Sequence, residues 1–532
     1  MLSLHIDAED VIQKSADHPV KRDGGGAAVY HSYVRDGETQ IPKYTLPEHG
    51  VSSKVAYQII HDELTLDGNP TLNLASFVHT WMPPEAEKLI MENIAKNAVD
   101  QDEYPATQVI HARCISMLAN LWNVPKGKKA IGTATAGSSE AIMLGGLALK
   151  KRWQEKRKAE GKDHYRPNIV FGANAQVALE KFARYFDVEC RLVPVKEEHD
   201  FIMYPPDAIP FIDENTIGVM VILGSTYTGH FEDVQLMSDL LDKLQEEKGL
   251  DIPIHVDGAS GGFFAPFAYP NLKWSFDVAR VASINTSGHK FGLVYAGLGW
   301  VLWKDESLLP KDLIFELHYL GSVEYSFTLN FSKPAAPILA QMFNFLNLGY
   351  QGYRDVAIKD LRNARLLSRA LENTGYYKVL SNIHKESGTK DVAEHAPELY
   401  LPGLPVVAFR LSDKFKKDYP GVQQAWIQNL LRGKGWIVPN YGAPPAEDKQ
   451  EMLRVVVRET MTGDLVERLV MDLIEITESL MTDDSAAGTL QMMTAIAGPK
   501  TKTGVAHPEK EHAKPTPKKK NERKQSTYAK QC

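Results

Sequence analysis

"TIGVMVILGS", residues 216–225, "IPIHVDGAS", residues 252–260, and "ARVASINTSG", residues 279–288, decide the fold. Each runs through Val, Ile, Leu, Met or Ala and then stops at small or polar residues, and a fourth such run, "PNIVFGAN", stands at 167–174. Short apolar runs that do not alternate with polar residues are the pattern of strands buried on both faces. Between them, "AIMLGGLALKKRWQEKRKAEG" (141–161) and "DVQLMSDLLDKLQEEKG" (233–249) carry apolar residues at helical spacing, charged outer faces and a terminal Gly. This alternation predicts an α/β domain with a mainly parallel sheet covered on both sides. Ligands of such sheets bind beyond the carboxyl ends of the strands, so the polar residues that close each run become the candidates.

Composition bounds the rest. The chain has 532 residues, 43% hydrophobic and 24% charged, with a formal net charge of −7, which gives its body no basic surface for nucleic acid. Cys114, Cys190 and Cys532 show no paired spacing, so neither a disulfide framework nor a metal site is expected, and a reducing compartment fits. The start, "MLSLHIDAED", is acidic where a targeting peptide would be basic. No apolar run approaches the roughly 18 residues a membrane span needs, so a soluble cytosolic protein is the expectation.

Three strand endings carry chemistry. "GTATAGSSEA", 132–141, sets Gly137, Ser138 and Ser139 at the start of a helix, where backbone N–H groups and hydroxyls suit a phosphate; the plainer reading is a serine N-cap with Glu140 in the first turn. "HVDG" places Asp257 at a strand end, where it can hold a proton on a ring nitrogen or simply close a turn. "SGHK" then brings Ser287, His289 and Lys290. A phosphate cradle, a strand-end carboxylate and a lysine in that order on an α/β sheet are what a pyridoxal phosphate enzyme requires. The phosphate sits on the helix dipole, the carboxylate keeps the pyridine nitrogen protonated, and the amine bonds to the cofactor's aldehyde.

"SINTSGHKFGLVYAGLGWVLW" (283–303), "HVDGASGGFFAPF" (255–267), "STYTGHFE" (225–232), "NLASFVHTW" (73–81), "DQDEYP" (100–105) and "KFARYFDVE" (181–189) together resemble glutamate decarboxylase of the group II decarboxylases, from about residue 40 to residue 480. The resemblance implies the aspartate-aminotransferase-type fold (fold type I), a large domain plus a smaller C-terminal α/β domain. It also implies a homo-oligomer, dimeric or higher such as a hexamer, and conversion of L-glutamate to 4-aminobutanoate and carbon dioxide. By motif, Lys290 is the Schiff-base lysine and Asp257 the partner of the pyridinium nitrogen. Ser138, Ser139, Ser287 and His289 hold the phosphate, Gln176 lies over the ring, and Thr226 sits near the ring hydroxyl. Ser332 of "NFSKP" resembles the serine that reaches the neighbouring subunit's phosphate. Arg454 of "EMLRVVVRET" matches the arginine that contacts substrate carboxylate; alternation of Arg454 and Arg458 along a small-domain strand is the plainer reading. Ser76, where bacterial relatives have Thr, Phe77 and Asp100 fall where the family binds the distal carboxylate. Asp100 must then be protonated or water-bridged. Another pyridoxal phosphate decarboxylase or a carbon–carbon lyase of this fold is the alternative, and the clamp residues argue against it.

The expected organisation is an N-terminal arm over 1–71, a large cofactor domain over 72–358, a small domain over 359–484 and a basic tail over 485–532. In the small domain, "VAIKDLRNARLLSRALENTG" reads as helix, "LPVVAFRL", "GWIVPN" and "MLRVVVRE" as apolar runs, and "DLVERLVMDLIEITESLM" as a helix with an apolar face. The Lys- and Pro-rich stretch from Lys500 is too polar to build a core. "LQMMTAIAGPKTK", 490–502, is similar in place to the calmodulin-binding segment of plant relatives. Ile496 stands where the aromatic anchor would be, however, and Gly498-Pro499 would break the target helix, so a solvated tail is the favoured reading.

Overall fold

In a computed structural model of the chain, the described residues are 44–317, 324–389 and 396–482. The basic tail and the 490–502 comparison with calmodulin targets lie outside them. Contacts divide the chain into two units, Met1–Asn69 and Pro70–Cys532. In the first, the described residues form the helix Ser53–Leu64, which Ser52 caps by accepting from the Val55 N–H.

The second unit is organised by a seven-stranded sheet. In chain order its strands are β1 (Ile131–Thr135), β2 (Asn168–Gly172), β3 (Glu189–Val193), β4 (Thr216–Ile222), β5 (Ile254–Asp257), β6 (Val281–Ser287) and β7 (Gly299–Trp303). They lie in the order β1-β7-β6-β5-β4-β2-β3. β7 is antiparallel to both its neighbours, β1 and β6, and the remaining pairings are parallel. The four apolar runs are thus four of its strands, and β2, β4, β5 and β6 are buried along their whole length. Burying each Val, Ile or Leu side chain in such strands contributes about 1.5–3 kcal/mol. β1 and β3 are too mixed to stand out by pattern, and pairing with β7 and β2 selects them, while β7 is itself an apolar strand buried along its whole length. The helix Ser138–Ala159 packs on one face of β5 and β6, through Gly145 against His255, and the helix Gly261–Ala268 on the other, through Gly262 against Thr286.

A hairpin of β8 (Phe315–Leu317) and β9 (Glu324–Ser326) follows, then the long helix Ala336–Asn373. That helix runs through residue 359, where the small domain is expected to begin, and is kinked at Gly349 (φ 58°, ψ −170°). Ile338, Ala340 and Met342 before the kink join the core of the large sheet, whereas Ala364, Leu367 and Leu371 after it join a second core. The second core backs an antiparallel sheet in the order β10-β11-β13-β12, built from β10 (Tyr377–Val379), β11 (Val406–Leu411), β12 (Asn440–Gly442) and β13 (Glu451–Val456). The helices Gln424–Gly433 and Gly463–Thr482 cover it, and Trp426, Ile427, Leu469 and Leu473 are buried there. "GWIVPN" forms no strand of this sheet before its last residue. Ile437 instead bridges in parallel to Asn73, accepting from Leu74 N–H and donating to the Leu72 carbonyl. The segment around Ser76 and Phe77 is thereby tied to the small sheet.

Among the described residues no helix is long and apolar enough to cross a membrane, and no group of three or more His, Cys, Asp or Glu is placed to hold a metal ion.

Candidate active site

β1, β4, β5 and β6 all end at one edge of the large sheet, because all run parallel. Thr135, Gly299 and Ser287 face one another across β1, β7 and β6 at that edge. This register sets the start of the helix Ser138–Ala159 beside the loop that carries His289 and Lys290. The approach is close: a Cβ on Gly299 would stand 2.3 Å from the Gly137 carbonyl carbon and 2.7 Å from the Ser138 nitrogen. One on Gly137 would stand 3.2 Å from His289 Cε1.

Gly137, rather than either serine, is the helix cap, and no side chain caps this end. Ser138 and Ser139 are the first residues of the helix, so their N–H groups have no partner one turn back. Glu140 is turned away, accepting from the Ala136 N–H at 2.7 Å and the Asn330 N–H at 3.1 Å. Opposite, the Ser287 hydroxyl is buried without a hydrogen-bond partner. His289 Nδ1 accepts from the Leu298 N–H at 3.3 Å, so the proton of the neutral ring is on Nε2. Burial, reinforced by Lys290, holds the His289 pKa down at about 4. An uncapped helix start, a buried orphan hydroxyl and a ring N–H are a donor set that fits a phosphate.

Lys290 donates to Ser260 Oγ at 3.0 Å, and its ammonium stands 5.2 Å from the centre of the Phe77 ring. Burial pulls its pKa down to about 8, partly offset by the Asp257 carboxylate, with the Arg454 charge adding to the depression. Asp257 Oδ1 accepts from the Ala259 N–H at 3.1 Å and from Asn285 Nδ2 at 2.9 Å. The backbone N–H of His79 donates to the His289 carbonyl at 2.8 Å, which brings the Ser76–Phe77 segment against the lysine loop.

Arg454 is buried and lies between the rings of Phe77 and Tyr441, at 5.2 and 5.5 Å. Its Nη1 donates to the Thr226 carbonyl and its Nη2 to the Ala75 carbonyl, each at 2.6 Å, while its Nε is buried without a partner. Arg458 is spent on backbone, donating to the carbonyls of Val78, Pro70 and Asn73. Each arginine keeps a buried Nε without a partner; they differ in that the Arg454 charge acts on Lys290 from between two rings, whereas Arg458 is tied to three backbone carbonyls.

Gln176 caps the helix Val177–Tyr185, its side-chain oxygen accepting from the Ala178 N–H at 2.9 Å. The preceding Asn174 is held by the buried Glu232, whose carboxylate also accepts from the N–H groups of Met203 and Ile222. Ser76 Oγ accepts from the Val78 N–H at 3.1 Å. Asp100 and Ser332 are joined through Asn97, whose Nδ2 donates to Ser332 Oγ at 3.3 Å and whose carbonyl accepts from the Asp100 N–H. Among the described residues, neither Asp100 nor Ser332 is hydrogen-bonded to Lys290, Asp257 or Arg454. Pattern alone does not single out Ser260 or Tyr441. For Asn285 and His255 a signal does exist, polar residues at alternate positions inside otherwise apolar strands.

The pyridoxal-dependent decarboxylase conserved domain matches residues 43–389. Glutamate decarboxylase of Saccharomyces cerevisiae is 50% identical over 477 residues, 84% of this chain and 81% of that protein. Glutamate decarboxylase of Solanum lycopersicum is 50% identical over 444 residues, 83% of this chain and 84% of that protein. The solved glutamate decarboxylase of Lactobacillus brevis superposes with a TM-score of 0.77 at 35% identity, covering 85% of this chain and 98% of that one. With Lys290, Asp257, Ser138, Ser139, Ser287 and His289 gathered at one sheet edge, and with likeness of this extent, the chain belongs to the pyridoxal-dependent decarboxylases, in their glutamate decarboxylase family.

Proposed function

We propose that the protein removes the α-carboxylate of L-glutamate as carbon dioxide and leaves 4-aminobutanoate, with Lys290 as the covalent anchor of pyridoxal phosphate. The observation that carries this reading is the enclosure of the Lys290 ammonium by Ser260, Phe77, Asp257 and Arg454. When bound, the cofactor supplies an electron sink for the pair released as carbon dioxide leaves.

The chain's own residues do the rest. Ser138 and Ser139, at the positive end of their helix, hold the phosphate with Ser287 and the Nε2–H of His289. Asp257 holds a proton on the ring nitrogen, Gln176 covers the ring, and Thr226 lies near the ring hydroxyl. The free Nε–H of Arg454 takes a substrate carboxylate, and the Ser76–Phe77 segment takes the distal one. With its pKa near 8, Lys290 exchanges a proton at near-neutral pH and can deliver one to Cα. One proton is consumed per turnover.

The likeness of Ser332 to the serine that reaches a neighbouring subunit's phosphate supports a homo-oligomer with the active site at the dimer interface, and Asp100 is proposed to face the distal carboxylate. The expected division at 71/72, 358/359 and 484/485 is proposed as the domain organisation. A reducing, cytosolic setting is proposed on the free thiols of buried Cys114 and of Cys190. The tail is proposed to be solvated. Calcium-dependent capture of the full chain by calmodulin, absent for a chain ending near Met481, would overturn that. The test of the anchor is Lys290→Ala: loss of both turnover and the borohydride-trapped chromophore is expected, and retention of either contradicts the assignment.

A further inference from the structure

A chain of three side chains runs behind the free face of Asp257. A carboxylate only accepts, so the 2.9 Å contact to Asp257 Oδ1 fixes the nitrogen end of the Asn285 amide. The amide oxygen is then turned to His255, 2.8 Å from Nε2. That oxygen also only accepts, so Nε2 carries the proton, and Nδ1 accepts from the Ser283 hydroxyl at 2.7 Å. The strand register makes this arrangement: His255 pairs with Ser283 and Asp257 with Asn285 across β5 and β6. Ser283, His255 and Asn285 are fully buried, and burial disfavours a charged imidazole at His255.

Packing holds the ring in place. A Cβ on Gly145 would stand 2.5 Å from His255 Cε1, so the helix that begins at Ser138 rests on the His255 ring. The ring therefore separates the phosphate helix from the Asn285 amide at a set distance. The other charged groups that face Asp257 are Lys290, after β6, and Glu232, after β4.

We propose that Asn285, itself held by His255, is a positioning residue for Asp257: it ties down Oδ1, leaves Oδ2 for the ring nitrogen of the cofactor, and ends a file of donors that all point toward the carboxylate. Such a file fixes the orientation of the carboxylate, because aligned hydrogen bonds polarise and strengthen one another in a buried setting. The proposal rests on the reading of Asp257 as the ring-nitrogen partner. A network that merely satisfied buried polar groups would affect stability without changing how the bound cofactor titrates.

The experiment follows the absorbance of the lysine-bound cofactor against pH in the holoenzyme, with cofactor Kd and with kcat and KM for glutamate, using Asp257→Asn as reference. Asn285→Leu is expected to move the titration midpoint in the same direction as Asp257→Asn. It should raise cofactor Kd about fivefold or more and lower kcat about tenfold or more with KM within about twofold, as loss of a buried charge-assisted contact implies. His255→Phe should move the midpoint the same way. His255→Gln, whose Nε2–H can reach Asn285 Oδ1, should bring it back. Wild-type midpoints in Asn285→Leu and His255→Phe beside a shifted Asp257→Asn overturn the role of Asn285 alone. A wild-type midpoint in Asp257→Asn overturns the reading of Asp257 beneath it. If Asn285→Leu does not fold, the two His255 variants decide by the same criterion.

Discussion

Lys290 donates to the hydroxyl of Ser260 at 3.0 Å, which binds the lysine to the loop just after Asp257. Burial leaves this amine with a pKa near 8, below the ordinary 10.5. Two consequences can be measured on cofactor-free protein. Loading of pyridoxal phosphate needs the neutral amine, so the rate at which the chromophore appears should rise with pH to a plateau, with a midpoint near 8. A midpoint near 10.5 would contradict the depression.

The same shift has a sign for stability. Between about pH 8 and 10.5 the unfolded chain keeps a proton on this lysine that the folded chain has released. Unfolding free energy attributable to Lys290 therefore rises with pH across that window and is flat below it. Urea unfolding of cofactor-free wild type against Lys290→Met isolates the difference. It should shrink as pH rises from 8 toward 10.5, and a difference independent of pH counts against the burial of this charge.

Arg454 and Arg458 both keep a buried Nε without a partner, and they separate by their backbone ties and by the action of the Arg454 charge on Lys290. Arg454→Lys keeps a charge but loses the fork that holds Thr226 and Ala75 while offering Nε. KM for glutamate should rise by about tenfold or more, with the cofactor spectrum unchanged. Arg458→Gln removes buried ties to Val78, Pro70 and Asn73, and should cost about 2–4 kcal/mol of stability by denaturant unfolding with a smaller change in KM. The reverse pattern would exchange the two roles.

Gly299→Ala would drive a methyl group into the backbone of Gly137 and Ser138, which cannot yield like a flexible side chain. A destabilisation of about 1–3 kcal/mol is expected, together with a cofactor Kd raised about tenfold by displacement of the start of the helix Ser138–Ala159, the proposed phosphate site. Equilibrium dialysis with pyridoxal phosphate checks it, and unchanged affinity would place the phosphate elsewhere.

The parallel strands and their order of endings are legible in the chain because continuous apolar runs have few other solutions. "TIGVMVILGS" becomes β4 and "ARVASINTSG" becomes β6, and both end in polar residues at the same edge. β1 is not legible, since "IGTAT" is mixed and gains its strand geometry from pairing with β7, and nothing local in the apolar "GWVLW" of β7 shows that it runs antiparallel to β6. "GWIVPN" reads as a strand because three apolar residues stand together in it, yet its backbone partner is Asn73, far away in sequence. At the site, Lys290 and Asp257 are legible by order and spacing. The capping residue is not: a serine at a helix start is the usual cap, but here Gly137 takes that place and leaves both serines inside the first turn. Ser260 and Tyr441 reach the lysine and Arg454 only through the fold. Asp100 and Ser332 sit beside each other through Asn97, a contact across 235 positions that no local pattern encodes.

Product analysis after mixing the purified protein, pyridoxal phosphate and L-glutamate is the most direct measurement. Stoichiometric 4-aminobutanoate and carbon dioxide are expected, with uptake of one proton per turnover. Inertness toward glutamate, or preferential release of carbon dioxide from aspartate, cysteine sulfinate or an aromatic amino acid, would contradict the assignment.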